Sequence, residues 1–173
     1  MNSTTIAHTS DTHLTNQSSA AKGPRALLAR ALATDASWTQ AVLRVTLGAV
    51  MFPHGAQKAL GWFGGYGFSG TMGFLTEKAG LPTPIAFLVI AFEFAGSLLL
   101  LAGLGTRFAA AGIVTVMIGA IATVHAPNGF FMNWNGNQAG EGFEYHLLVL
   151  GLALALILRG GGRASLDRSL SAR

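Results

Sequence analysis

The segment Trp38–Leu60, WTQAVLRVTLGAVMFPHGAQKAL, has the length of a helix that crosses a bilayer, which takes roughly 20 residues. It is mostly apolar, yet it contains Arg44, His54 and Lys58 and is interrupted by Pro53. Ionisable groups at membrane depth are costly, so they usually face the interior of a helix bundle or a cavity. The segment therefore predicts a membrane bundle with a polar interior.

The composition of the whole chain also indicates a membrane protein. Of its 173 residues, 51% are hydrophobic and 10% are charged, whereas soluble domains carry about 25% charged residues. The chain has no cysteine, which excludes disulfides, thiol relays and Cys-ligated metal or iron–sulfur centres. A redox role would then need a bound cofactor, a quinone or a partner subunit.

Three more apolar segments are expected to cross the membrane: Pro84–Leu104, Arg107–Ala126 and Phe143–Leu158. Between the first and second spans, Phe68–Ala79 is expected to form a short helix along the membrane surface. The predicted fold is therefore an all-α integral membrane protein, a bundle of four transmembrane helices with one short interfacial helix.

The two ends of the chain are predicted to lie outside this membrane domain. Residues 1–36 are rich in Ser, Thr and Asn and are interpreted as a disordered, basic tail. Residues 37–160 form the membrane domain, and residues 161–173 are interpreted as a basic C-terminal tail.

The distribution of Lys and Arg predicts the orientation of the spans. Lys58 and Lys78 lie on one side. Eight residues lie on the other side: Lys22, Arg25, Arg30, Arg107, Arg159, Arg163, Arg168 and Arg173. Because the side richer in Lys and Arg stays in the cytoplasm, we expect a multi-pass protein of the bacterial inner membrane with both termini cytoplasmic.

The third span carries a stripe of small residues. Ala111, Thr115, Gly119 and Thr123 recur at every fourth position, a pattern that lets two helices approach closely. We expect this stripe to serve packing, and homo-oligomerisation is one arrangement that it allows.

Most ionisable residues of the predicted bundle fall near one depth. His54 and Lys58 lie near the outer end of the first span and share a face, because they are four residues apart. His125 lies at the outer end of the third span, and Glu144 and His146 begin the fourth. Since Glu144 and His146 are two residues apart, one of them is expected to face sideways.

Two opposite charges lie deeper than this cluster. Glu93 is roughly 14 Å down the second span, and Arg44 lies on the cytoplasmic half of the first. Their charges predict a buried ion pair or network, either purely structural or part of a functional site. Lys58 equally fits a side chain that extends to the interface, and no tight ligand spacing such as H-x-x-x-H predicts a metal site.

Five motifs occur in an order and spacing that resemble one protein family. They are LRVTLGAVMFPHGAQKALGWFGG at 43–65, FEFAGSLLLLAGLGTR at 92–107, HAPNGFF at 125–131, GFEYHLLVLGLALAL at 142–156 and GGGRASLDR at 160–168. Together they resemble the DoxX family of small four-helix bacterial membrane proteins over roughly residues 40–170. The resemblance implies a four-helix inner-membrane protein in a family loosely linked to oxidoreductases. Some members of the family look like subunits of thiosulfate:quinone oxidoreductase or of membrane-bound redox-stress complexes.

The resulting hypothesis is a redox-associated membrane subunit with a polar intramembrane site near the periplasmic side, which binds a quinone-like headgroup or a polar substrate. Its candidate catalytic groups, for hydrogen bonding and proton transfer, are Glu93, His54, His125 and His146. Its candidate cofactor-binding residues are Arg44, Lys58, Asn128, Glu144 and Tyr145.

The expected partners are the lipid bilayer, a redox subunit or a soluble enzyme, and a second copy of the chain, with no nucleic acid. The alternatives are a non-catalytic membrane scaffold that anchors an enzyme and a small transporter-like protein. A continuous proton or solute pathway would need polar residues on the cytoplasmic side, where the third and fourth spans offer little beyond Thr115.

Overall fold

The computed structural model describes residues 32–171, and within this range the chain is helical and contains no strand. The tail expected at residues 1–36 therefore lies mostly outside the described residues. The helices are α1 (Trp38–Leu60), α2 (Gly67–Gly73), α3 (Thr83–Ala102), α4 (Thr106–Ala120), α5 (Glu144–Arg159) and α6 (Leu166–Ser171).

Helix α1 has the predicted bounds because both of its ends are capped. The Ser37 hydroxyl accepts a hydrogen bond from the Thr39 N–H at 3.1 Å, which satisfies one of the free donors of the first turn. At the other end, Gly61 has a φ of 73°, a left-handed conformation that glycine adopts without steric cost. Pro53 lies inside the helix, as the sequence shows.

The other helices agree with the expected segments, with small shifts at their ends. α2 continues into a π-helical turn at Phe74–Lys78, which confirms the short helix between the first two long ones. α4 continues through a π-helical turn at Ile121–His125 and a 3-10 turn at Ala126–Asn128.

The four long helices form a bundle in which α1 and α4 each pack against both α3 and α5. This arrangement buries one apolar face of every long helix. The core residues are Leu47 and Met51 of α1, Leu100 of α3, Ala109, Ala110, Ile113, Val116 and Met117 of α4, and Val149, Ala153 and Leu156 of α5.

Two stretches, Thr83–Ala102 and Thr106–Asn128, are long and apolar enough to cross a bilayer. The expectation of four such spans is thus met for two. α1 is long enough, but its charged residues lower its hydropathy; α5 has only 16 residues.

Residues 160–171 pack against the bundle instead of leaving it. Gly160, Gly161 and Gly162 are buried, and so are Ser165 and Asp167. A Cβ atom at Gly162 would lie 2.6 Å from the Ala41 backbone nitrogen, so the segment passes directly over the start of α1. The interpretation of residues 161–173 as a tail omits this packing, since composition alone does not reveal where a glycine-rich segment lies.

Candidate functional site

A cavity of about 1260 Å³ lies at the end of the bundle where α1 finishes. Ligand pockets commonly measure about 300–1,000 Å³, so this one is large. We call this region the cavity end. The ionisable side chains that the four long helices contribute to it, with the turn that extends α4, are His54, Lys58, Glu93, His125, Tyr145 and His146.

An ion pair between Lys58 and Glu93 joins α1 to α3 in the cavity wall. Gly55 packs on the backbone of Glu93, because a Cβ atom at Gly55 would lie 2.5 Å from the Glu93 carbonyl carbon. This close approach brings Lys58 Nζ within 2.5 Å of Glu93 Oε2. The side chain of Glu93 is 5% exposed and that of Lys58 is 30% exposed. Each charge therefore depends on the other, since a buried charge without a partner is strongly destabilising.

His54 and Tyr145 face each other across α1 and α5. Their ring centroids are 5.6 Å apart, and the Tyr145 hydroxyl donates to the sulfur of Met51 at 3.7 Å. A thioether sulfur is a weak acceptor, so the hydroxyl remains able to bond a stronger partner in the cavity.

A histidine pair links α5 to the turn that extends α4. The ring centroids of His125 and His146 are 4.1 Å apart, and His125 Nδ1 lies 2.8 Å from the backbone carbonyl oxygen of Glu141. Because a carbonyl oxygen only accepts, His125 Nδ1 carries the proton, and Nε2 of the neutral ring is left as an acceptor. His125 thus connects the buried His146 with the exposed loop that contains Glu141.

Three buried side-chain polar atoms lack a hydrogen-bond partner among the described residues: Gln40 Oε1, Thr106 Oγ1 and His146 Nδ1. Of these three residues, only His146 lines the cavity. It is 6% exposed, and its Nδ1 has no hydrogen-bond partner among the described residues. A buried polar atom left unpaired costs about 1–3 kcal/mol. Such atoms are rare in folded proteins and call for a specific explanation, such as a ligand or a catalytic role.

At the opposite end of the bundle, Arg44 is buried and bonded along its whole guanidinium group. Its N–H groups donate to the backbone carbonyls of Gly161 at 2.9 Å, Leu100 at 2.6 Å, Leu101 at 2.8 Å and Ala164 at 3.0 Å. The last carbonyls of a helix have no partner within it, so Arg44 completes the end of α3 and ties it to the C-terminal segment. We call this region the Arg44 end.

Asp167 completes the Arg44 end by capping α4. Its two carboxylate oxygens accept hydrogen bonds from the backbone N–H groups of Gly105 at 2.7 Å and Thr106 at 2.9 Å. A carboxylate at a helix N-terminus satisfies free donors and also interacts favourably with the helix dipole. The C-terminal segment therefore holds the α3–α4 turn in place.

Comparison with known proteins identifies the family. The family model described as DoxX matches residues 39–126, half of the chain. The chain belongs to the DoxX family. It is also 35% identical over 115 residues to the protein named "Putative oxidoreductase CatD" of Bacillus subtilis (strain 168), across 66% of this chain and 75% of that relative. No solved structure matches it.

As a DoxX protein the chain is a membrane protein, in agreement with its two long apolar helices. The matched region contains α1, α3 and α4 and thus Lys58, Glu93 and His125. It ends before α5, which supplies Tyr145 and His146.

Within this DoxX bundle, the sequence-based expectation of an Arg44–Glu93 pair is wrong. Glu93 pairs with Lys58, and all the bonded donors of Arg44 go to backbone carbonyls. Arg44 precedes Lys58 by 14 residues, roughly 21 Å along α1 at the helical rise. Arg44 therefore stabilises the end of the bundle that is remote from the cavity.

Two further candidates lie beside the cavity without lining it. The Asn128 side chain donates to the carbonyls of Val124 at 3.3 Å and Glu141 at 3.1 Å, which fastens the loop to the end of α4. Glu144 accepts a hydrogen bond from Trp134 Nε1 at 3.2 Å. Since His146 lines the cavity, the expectation that one of Glu144 and His146 faces sideways is confirmed.

Sequence reasoning missed Asp167 and Glu141. Asp167 caps a helix that begins 61 residues earlier in the chain, so no local pattern indicates its role. Glu141 offered a weak signal, because it is an acidic residue in a loop between two candidate histidines.

The small-residue stripe of α4 does not pack against another helix of the bundle. Ala111, Thr115, Gly119 and Thr123 are all exposed and line the cavity. The packed face of α4 consists of its neighbours Ala109, Ala110, Gly112, Ile113, Val116 and Met117. The expectation that the stripe packs against a neighbouring helix is therefore wrong for the helices of one chain.

Among residues 32–171, no three His, Asp or Glu side chains are arranged so that they hold a metal ion.

Proposed function

We propose that this DoxX protein is a redox-associated membrane subunit that binds a quinone headgroup at the cavity end. The observation that carries the proposal is the buried, unpaired Nδ1 of His146 in a cavity that also holds the Lys58–Glu93 pair. A quinone oxygen accepts hydrogen bonds, and the quinol hydroxyl also donates them. A histidine nitrogen fits both states because it donates or accepts according to its tautomer. The name of the relative, an oxidoreductase, supports the redox assignment.

The residues around His146 have complementary roles in this proposal. A quinone takes up two electrons and two protons when it is reduced to the quinol. Lys58 is partly exposed, and its charge favours an anionic oxygen beside it. His54 and Tyr145 orient the headgroup. The His125–His146 pair passes protons between the headgroup and solvent at the exposed loop, where the backbone carbonyl of Glu141 accepts from His125 Nδ1 and orients the ring.

The electrons come from a partner redox subunit in this proposal, because the chain itself has no cysteine for a thiol relay or a Cys-bound cluster. The chain therefore acts as the quinone-binding part of a larger assembly.

The proposed topology has four spans in the bacterial inner membrane, with both termini cytoplasmic and the cavity near the periplasm. The excess of Lys and Arg on the Arg44 side supports the orientation. The inward burial of Arg44 supports α1 as a span, because this charge does not face the lipid. A chain without cysteine makes the test simple. Asn135→Cys should react with a membrane-impermeant maleimide in intact cells, and Ser171→Cys only after permeabilisation. The reverse pattern would overturn the orientation.

Quinone content of the purified protein tests the function. The full chain is purified in mild detergent, and extracted quinone is measured by chromatography relative to protein. We expect stoichiometric quinone in the wild type and its loss in His146→Phe and Glu93→Gln. Leu147→Phe adds an aromatic ring on the exposed face of α5, and Asp35→Asn removes an exposed charge, so both should retain quinone. Quinone no higher than in an unrelated membrane protein treated alike would refute the proposal.

A non-catalytic scaffold is the second candidate, favoured by the exposed aromatic side chains of Phe131 and Trp134 beside the cavity. Such rings fit a membrane interface or a docked protein equally well. A scaffold predicts a stoichiometric partner protein and no bound quinone. The transporter-like alternative has less support, because buried apolar side chains fill the interior of the bundle.

A further inference from the structure

The cavity extends beyond its polar residues into a groove between α3 and α4. We call this the seam groove; its walls are Ile85, Leu88 and Phe92 of α3, and Ala111, Thr115 and Gly119 of α4. These residues and the histidines line one continuous cavity. The lining of α4 and its extension runs from Phe108 to His125, a separation of 17 positions or roughly 25 Å along the helix. A ring-sized headgroup contacts only one end of such a space.

The seam groove is apolar despite its threonines. The Thr115 hydroxyl donates to the Ala111 carbonyl at 3.0 Å, and the Thr123 hydroxyl donates to the Gly119 carbonyl at 2.8 Å. Because these hydroxyls are bonded within their own helix, no unbonded hydroxyl donor is left for a polar ligand. Gly119 leaves open space, since a Cβ atom there would meet nothing within 4 Å.

The sides of the seam groove face outward from the bundle. Phe108 is 66% exposed, and Leu88 and Ile85 are also exposed. α3 and α4 are the two helices with the length and apolar composition to cross a bilayer, so these side chains lie at the depth of the lipid tails. The groove therefore joins the hydrocarbon region of the membrane to the buried His146.

We propose that the seam groove holds the isoprenoid tail of the quinone and is the route by which the quinone enters sideways from the bilayer. This inference rests on the proposed function, because the polar head is placed at His146 and Lys58. The unpaired nitrogen of His146 requires a polar end of the ligand, and the continuous apolar groove fits a long hydrocarbon end. The small residues of α4 leave room for that tail in place of a neighbouring helix.

Narrowing the seam groove tests the inference. Gly119→Leu and Thr115→Phe place bulk in the groove without disturbing the packed face of α4. Ile118→Phe is the matched control, because Ile118 is exposed on the same helix and does not line the cavity. Binding is measured for the full chain in detergent, with a polyprenyl ubiquinone and with the same benzoquinone headgroup lacking its tail.

We expect both groove variants to bind the polyprenyl quinone about tenfold more weakly or worse, which corresponds to the loss of only a small part of the buried tail. Binding of the tail-less headgroup should stay unchanged, and Ile118→Phe should resemble the wild type. Equal losses for both ligands, or no loss for either, would overturn the groove assignment and leave the headgroup site standing. If the wild type binds neither ligand, the proposed function itself fails.

Two other occupants are distinguished in the same experiment. Loss of a copurifying phospholipid in Gly119→Leu with unchanged quinone affinity would assign the groove to a lipid and overturn the inference. A change in oligomeric mass with unchanged quinone affinity would assign the stripe to contact between two copies of the chain, and would overturn it too.

Discussion

The two ends of the bundle treat their charged groups in opposite ways. At the Arg44 end, Arg44 donates to four backbone carbonyls and Asp167 accepts two backbone N–H groups. At the cavity end, Lys58 and Glu93 pair with each other, while His146 keeps an unpaired nitrogen. Arg44 and Asp167 are thus hydrogen-bonded to the backbone, whereas His146 has a nitrogen in the cavity that is still able to form a hydrogen bond.

We interpret this difference as one between residues that stabilise the fold and candidate functional residues. Buried polar groups are expensive, and proteins normally satisfy them completely. Where satisfaction comes from the backbone, as at Arg44, the residue contributes to folding. Where it is left incomplete beside a cavity, as at His146, we propose that a ligand supplies the missing partner. Substitutions at the Arg44 end should therefore mainly lower stability, and substitutions at the cavity end should lower quinone content.

The largest loss of stability is expected for Arg44→Met. The substitution removes the side-chain donor from the carbonyls of Gly161, Leu101 and Ala164, whereas the Leu100 carbonyl keeps the Gly103 N–H. At roughly 1–3 kcal/mol for each group, the free energy of unfolding should fall by about 3–6 kcal/mol. Thermal unfolding in detergent measures this, with Arg159→Met as the control, because Arg159 makes an exposed ion pair with Asp35. An unchanged melting temperature with lost quinone would show that Arg44 contributes to quinone binding, and would contradict the contrast between the two ends of the bundle.

The next effect is expected for Glu93→Gln, which should lower both stability and quinone content. It replaces the negative partner of Lys58 by a neutral amide, and because Lys58 is 30% exposed the loss of stability should be about 2 kcal/mol, less than for a fully buried pair. The double variant Lys58→Met with Glu93→Leu should regain stability, since two apolar groups replace the pair, but should not regain quinone. Recovery of quinone in the double variant would show that the pair is dispensable for binding.

Asp167→Asn should have a smaller effect, confined to stability. An amide keeps one acceptor oxygen, but its NH2 group only donates, so one of the two backbone N–H groups loses its partner and the other loses charge assistance, at roughly 1–2 kcal/mol. Thermal unfolding and quinone content are measured together, with the exposed Asp35→Asn as the matched control. Lost quinone at an unchanged melting temperature would contradict the division between the two ends.

The smallest change in stability, with the opposite sign, is expected for His146→Phe. Removing a buried nitrogen that has no partner should leave the free energy of unfolding unchanged or raise it by up to about 1 kcal/mol. Quinone should be lost at the same time. A clear fall in melting temperature would show that the nitrogen is bonded in the resting protein, and would remove the basis of the comparison.

Local patterns in the sequence were sufficient for the helices and for the position of the polar cluster. The bounds of α1 follow from the apolar run between Ser37 and Gly61. The shared face of His54 and Lys58 follows from helical spacing, and both line the cavity. His125 and His146 meet because α4 and α5 are antiparallel neighbours joined by one loop.

Pairings between distant helices were not predictable in the same way. Glu93 was expected near Arg44 because opposite charges attract, but Gly55 allows α1 to approach α3 where Lys58 is the available cation. The stripe of α4 was expected to pack because small residues permit close contact, yet the bundle buries the adjacent face. Rotation of a helix about its axis decides such outcomes, and one sequence does not encode it in a short pattern.

The sequence by itself determined that the chain is helical, apolar and supplied with ionisable groups near one end, because periodicity and composition act over a few turns. Only the tertiary structure decided which of these groups are hydrogen-bonded to the backbone and which keep an unpaired atom in the cavity. That division depends on close approach at Gly55 and on the return of residues 160–171 over the bundle. These are contacts between segments far apart in the chain, and the cost of burying an unpaired polar group makes them decisive.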